Sequence, residues 1–167
     1  MDTKRETLLP LATYASVATA ILLVGLKTWA WLASGSVSLL ASLVDSLTDS
    51  LASIVNLFAV RLALRPADDN HPFGHGKAES LSALAQSAFI GGSAVFLLLN
   101  AVERLLHPQP LQQTTLGIAV MLVSLLLTLA LVLFQRWVLR RAQSQAVSAD
   151  SLHYVTDFAS NIVVLVA

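Results

Sequence analysis

Asp45 and Asp49 stand four residues apart in the stretch SLVDSLTDSL (42–51), and His153 and Asp157 repeat that spacing in DSLHYVTDFASN (150–161). Four residues is about one helical turn, so each pair stacks one above the other on a helix face. Together, three carboxylates and one imidazole make a four-coordinate set of hard and borderline donors. Such a set suits Zn²⁺ and, less selectively, Fe²⁺, Cd²⁺, Co²⁺ or Mn²⁺. Cysteine is absent and the only thioethers are Met1 and Met121. Disulfides and thiolate sites are therefore excluded, and Cu⁺ is disfavoured.

The elements that must position these residues are apolar. Of the 167 residues, 56% are hydrophobic and only 12% charged, about half the charged share of a soluble domain. Zero net charge gives no sign of a nucleic-acid partner. Long apolar segments run over residues 8–33, 38–64, 79–106 and 114–139, and a fifth begins near residue 147 and is still apolar at residue 167. Each of the first four exceeds the ~20 residues that cross a bilayer. The first is too long for a signal peptide. The expected fold is all-α, a polytopic transmembrane helix bundle with four complete spans and the start of a fifth, forming one transmembrane domain over 1–167. The chain reads as the N-terminal portion of something longer. Lys4, Arg5, Arg61, Arg65, Lys77, Arg136, Arg140 and Arg141 flank one side and Arg104 alone the other, which puts the N-terminus in the cytoplasm. The remaining cation, Lys27 in the first span, is expected to snorkel outward, with a buried ion pair as the alternative.

Two aspartates in a span are expensive. Together they cost about 5–7 kcal/mol on insertion scales, while the thirteen Leu, Ile, Val and Phe residues of 38–64 return about 4–8 kcal/mol. The helix inserts, but it cannot cheaply turn that face to lipid. Ser38, Ser42, Asp45, Ser46, Asp49, Ser53 and Asn56 share an arc of about 100°. Small polar residues also serve as packing glue between helices, which accounts for the serines but not for two acids one turn apart. In the fifth segment Asp150, His153, Asp157, Ser160 and Asn161 share a similar arc, also of about 100°. Counted from the basic markers Arg61 and Arg141, Asp49 matches His153 in depth and Asp45 matches Asp157, at about 18 and 24 Å. Three carboxylates without metal repel one another in a low dielectric, so the empty site must take up protons. Metal and proton then compete for the same atoms, which is the physical basis of antiport.

The loop RPADDNHPFGHGKAES holds Asp68, His71 and His75 at ligand-like spacing, although a polar loop of ordinary composition also contains such residues. Lys77 and Glu79 are expected to cap and solvate the start of the third span. GGSA at 91–94 permits close helix approach, and His107 beside Pro108 reads as an incidental loop histidine. An intramembrane metalloprotease would need a motif such as H-E-x-x-H, which is absent. A proton relay has no use for His153 or the loop histidines, and a scaffold leaves four inward ionisable groups unexplained.

With GSVSLLASLVDSLTDS, PADDNHPFGHGKAESLSALAQS and SQAVSADSLHYVTDF in place, the chain resembles the cation diffusion facilitators over its whole length. The resemblance implies a homodimer in the bacterial inner membrane, with six transmembrane helices per subunit and a cytoplasmic ferredoxin-like domain. The sixth helix and that domain would lie beyond Ala167. It further implies a secondary active transporter rather than an enzyme, with no prosthetic group. Its activity would be proton-coupled export of Zn²⁺, with Fe²⁺ and Cd²⁺ as further substrates. By matching positions, Asp45, Asp49, His153 and Asp157 would form the transport site and Asp68, His71 and His75 a loop site. Lys77 would tie the third helix to the dimer core.

Overall fold

The computed structural model of the protein describes residues 3–106 and 115–166. Five helices fall on the five apolar segments: α1 (Thr3–Ser34), α2 (Val37–Ala63), α3 (Lys77–Leu106), α4 (Thr115–Leu139) and α5 (Gln145–Val166). Their ends have local causes. α1 stops because Gly35 enters the left-handed region (φ 63°) and its N–H closes on Trp31 O at 2.8 Å, a glycine C-cap. Pro66 follows the end of α2 and cannot continue it. Ser144 caps α5, its Oγ accepting from the Val147 N–H at 3.2 Å. By length and composition α1, α2 and α4 are long and apolar enough to cross a membrane.

The helices form a ring in the order α1, α2, α3, α5, α4, and α5 also touches α2 and α1 across the interior. One apolar cluster (Leu9, Ala12, Val60, Val138, Ala142, Ala146, Val147) seals the end that carries the arginines, and a smaller one (Ala30, Leu39, Val120) seals the other. Between them a third apolar cluster (Leu131, Val132, Tyr154) sits among buried polar side chains. On α2 the pattern is inverted relative to a soluble protein: Val44, Leu47, Leu51, Val55 and Phe58 are exposed, while Ser46, Ser53 and Asn56 are buried. An apolar exterior fits lipid, and a polar interior must satisfy itself. Much of that satisfaction is intrahelical, as in Thr28 Oγ1 to Val24 O at 2.7 Å and Ser124 Oγ to Val120 O at 2.8 Å.

Candidate metal centres

Opposite turns of α2 and α5 bring three of the expected ligands together. His153 Nε2 lies 3.0 Å from Asp49 Oδ1 and 3.4 Å from Asp157 Oδ2. One donor atom from each of the three falls within 4.8 Å of the others. Ligands of a tetrahedral Zn²⁺ are about 3.3 Å apart, given bonds of about 2.0–2.1 Å, so the cluster needs little movement to close on a cation. The imidazole is buried and both carboxylates are partly buried. Asp157 Oδ2 is buried and accepts no hydrogen bond, an open coordination position in a site that otherwise satisfies its polar atoms. Asp45, the fourth expected ligand, is exposed and outside this cluster, one turn along α2 from Asp49. The arc of polar residues defines its face but not what packs over it.

The cluster is held by polar ties that the sequence does not pair. Tyr154 OH, next to His153, meets Ser53 Oγ at 2.9 Å and joins α5 to α2. Asn56 Oδ1 accepts from Ser82 Oγ at 3.1 Å and joins α2 to α3. Asp150, fully buried one turn before His153, accepts from Ser16 Oγ at 2.6 Å, Gln135 Nε2 at 2.7 Å and Gln86 Nε2 at 3.0 Å. Four helices therefore meet at one carboxyl, which fixes the rotation of α5 and hence the direction of His153. Two glutamines inside apolar segments were the available signal for this network.

Other expectations are corrected by the packing. Lys27 does not snorkel along α1; its Nζ donates to Ser46 Oγ at 2.6 Å and Ser42 O at 3.2 Å on α2. Glu79 is not a solvated cap: it is buried, accepts from Arg5 Nη2 at 2.8 Å and from the Gln145 N–H at 3.2 Å, and so binds the arginine-bearing ends of α1, α3 and α5. An open cleft of about 760 Å³ beside this pair is lined by none of the candidate ligands. Lys77 is exposed. Gly91 and Gly92 are exposed, and a Cβ added at either would meet nothing within 4 Å, so they make no close helix approach among the described residues. His107 lies outside the described residues.

The α2–α3 loop gathers its three candidates as well. Asp68 Oδ1 accepts from the His71 N–H at 2.7 Å and the Asn70 N–H at 3.1 Å, an Asx-type turn. Its two oxygens also face the rings, with His71 Nδ1 at 3.1 Å and His75 Nε2 at 3.5 Å. Gly74, at φ 76°, turns the chain so that His71 and His75 approach with ring centroids 4.4 Å apart. Desolvation, the largest single influence, pushes the Asp68 carboxyl up, but the His71 N–H, the His71 ring and the charges of both imidazoles together outweigh it and hold the carboxyl below its ordinary value. The turn it supports is thus complete above the ordinary carboxylate range and is lost as pH falls through the lowered value. If these residues bind metal, the triple alanine variant of Asp68, His71 and His75 loses one metal ion per chain and keeps the intramembrane one. Unchanged stoichiometry by elemental analysis would reduce the loop to an ordinary turn.

Comparison with known proteins agrees with the all-helical membrane architecture. Residues 13–167 match the family described as the cation efflux transmembrane domain. The cation-efflux pump FieF of Klebsiella pneumoniae is 56% identical over 156 residues, covering 93% of this chain and 52% of that protein. FieF of Yersinia enterocolitica is 54% identical over 167 residues, covering 100% of this chain and 56% of its own length. FieF of Escherichia fergusonii is 56% identical over 156 residues. The chain spans about half the length of the curated relatives it matches. With a membrane-helix bundle and a family match over nearly its full length, the chain belongs to the cation efflux family, the cation diffusion facilitators.

Proposed function

We propose that this chain is the membrane core of a divalent-cation exporter that exchanges Zn²⁺ for protons, with Fe²⁺ and Cd²⁺ as further substrates. The observation that carries the reading is His153 Nε2 lying between Asp49 Oδ1 and Asp157 Oδ2. Without metal, a proton on that nitrogen would be donated to Asp49 Oδ1; a divalent cation in the same gap would take the nitrogen lone pair and both oxygens, and the proton would leave. Binding one ion therefore expels the other. Asp45, on the next turn of α2, is the remaining carboxylate of the proposed set. Asp68, His71 and His75 would capture metal at the cytoplasmic side.

The whole protein would work as a homodimer in the bacterial inner membrane with its N-terminus in the cytoplasm, as the basic flanks indicate. Similarity to proteins named as cation-efflux pumps supports export rather than uptake. Reconstituted in liposomes, the protein should move Zn²⁺ toward the acidic compartment, and collapsing the pH gradient with a protonophore should stop net flux. Zn²⁺ flux indifferent to the gradient would refute proton coupling. A gradient-driven proton leak with no bound metal would instead indicate a relay.

A further inference from the structure

Lys27 brings a positive charge to the polar face of α2 that carries Asp45 and Asp49, where a cation site would seem to have no use for one. Its stem leaves α1 and crosses to the polar face of α2, ending on Ser46 Oγ and Ser42 O. Ser46 adjoins Asp45 and lies one turn before Asp49. The ammonium is within electrostatic reach of Asp49, Asp45 and Asp157. In the proposed set, which adds Asp45 to Asp49 and Asp157, three carboxylates and one ammonium leave two net negative charges when His153 ligates as a neutral imidazole.

Resting on the site reading above, we propose that Lys27 sets the valence of the transported ion. With it, a divalent cation makes the loaded site neutral, a monovalent cation leaves it one charge short, and a trivalent cation leaves it one charge over. Uncompensated charge in a low dielectric is heavily penalised, so the fixed ammonium acts as a valence filter without touching the metal. Asp150, held by Ser16, Gln86 and Gln135, contributes equally to every comparison below.

The test is competitive binding of Zn²⁺ and Tb³⁺ to the purified protein with the loop ligands replaced by alanine, so that only the intramembrane site reports. Within one variant both ions enter the same empty site, and the ratio of their affinities therefore does not depend on how that site is protonated. Lys27→Gln, which keeps a hydrogen-bond donor but no charge, should raise the Tb³⁺ to Zn²⁺ ratio by about tenfold or more. Lys27→Met should do the same, which keeps the ratio readable if one variant does not fold. Lys27→Arg, which keeps the charge, should stay within about twofold of the parent protein. An unchanged ratio in the neutral variants overturns the proposal, as does loss of both ions from neutral variants that remain folded, since Lys27 would then be only a structural donor. Failure of the parent protein itself to bind Zn²⁺ is a different result and overturns the underlying site.

Discussion

With the proposed site, Asp49→Ala and Asp157→Ala should each remove the intramembrane metal ion and abolish transport, while the protein stays inserted and helical. Each deletes one of the oxygens that face His153 Nε2 at 3.0 and 3.4 Å, and with it a proton acceptor. Altering a group that merely supports a metal ligand costs about 10–100-fold in affinity, and loss of a ligand from a three-residue cluster exceeds that. Folding should survive because Ser53 with Tyr154 and Asn56 with Ser82 still tie α2 to α5 and α3. Asp45→Ala should cost less, since Asp45 is exposed and outside the cluster. Zinc titration and vesicle uptake of the variants check both statements; near-normal transport by Asp49→Ala or Asp157→Ala would remove the cluster from its role.

Asp150→Ala unfolds the bundle more readily than any change in the metal cluster. Its carboxyl is the common acceptor for Ser16, Gln86 and Gln135 from α1, α3 and α4. Deleting it leaves Gln86 Nε2 without its acceptor, while Ser16 Oγ keeps Ala12 O at 3.1 Å and Gln135 Nε2 keeps Ser16 Oγ at 2.8 Å; a stranded buried donor costs about 1–3 kcal/mol, with no water in the bilayer to take it. A loss of roughly 1–3 kcal/mol from that donor follows, on top of the loss of the one acceptor shared by α1, α3 and α4. Asp150→Asn should be far milder, because Gln86 Oε1 and Gln135 Oε1 have no partner and an amide flip can offer either to the new donor. Denaturant unfolding in detergent separates the two. Equal stability of Asp150→Ala and the parent protein would show that these contacts do not hold α5.

Asp49, His153 and Asp157 were legible in the sequence because an ionised group in a span is costly enough to demand a partner. The helix period then put His153 and Asp157 on one face. Periodicity supplies an angle around a helix, but it does not supply the neighbour on the other side. That is why Asp45 shares the arc of Asp49 and yet is exposed, and why Lys27 turns to α2 rather than to the headgroups. The Arg5–Glu79 pair spans 74 positions and joins the start of α1 to the start of α3, a contact that no pattern within either helix foretells. Asp150 lay on the expected face, but its donors come from three other helices, which no single-helix pattern connects. Likewise Gly91 and Gly92 have the composition of a packing motif, while their surroundings in the fold are open.

Competition between metal and protons at Asp49, His153 and Asp157 is the centre of this account, and the most direct measurement is the number of protons released when Zn²⁺ binds. Protons and the cation compete for the same donor atoms, so metal affinity is expected to fall as pH drops. Calorimetry in buffers of differing ionisation enthalpy, with the loop ligands replaced by alanine, gives the count for the intramembrane site alone. Release of at least about one proton per Zn²⁺ near neutral pH is predicted, with the release lost together with the metal in Asp49→Ala. A count near zero, from about pH 6 to 8 where an ordinary histidine titrates, with Zn²⁺ bound at these residues, would contradict it.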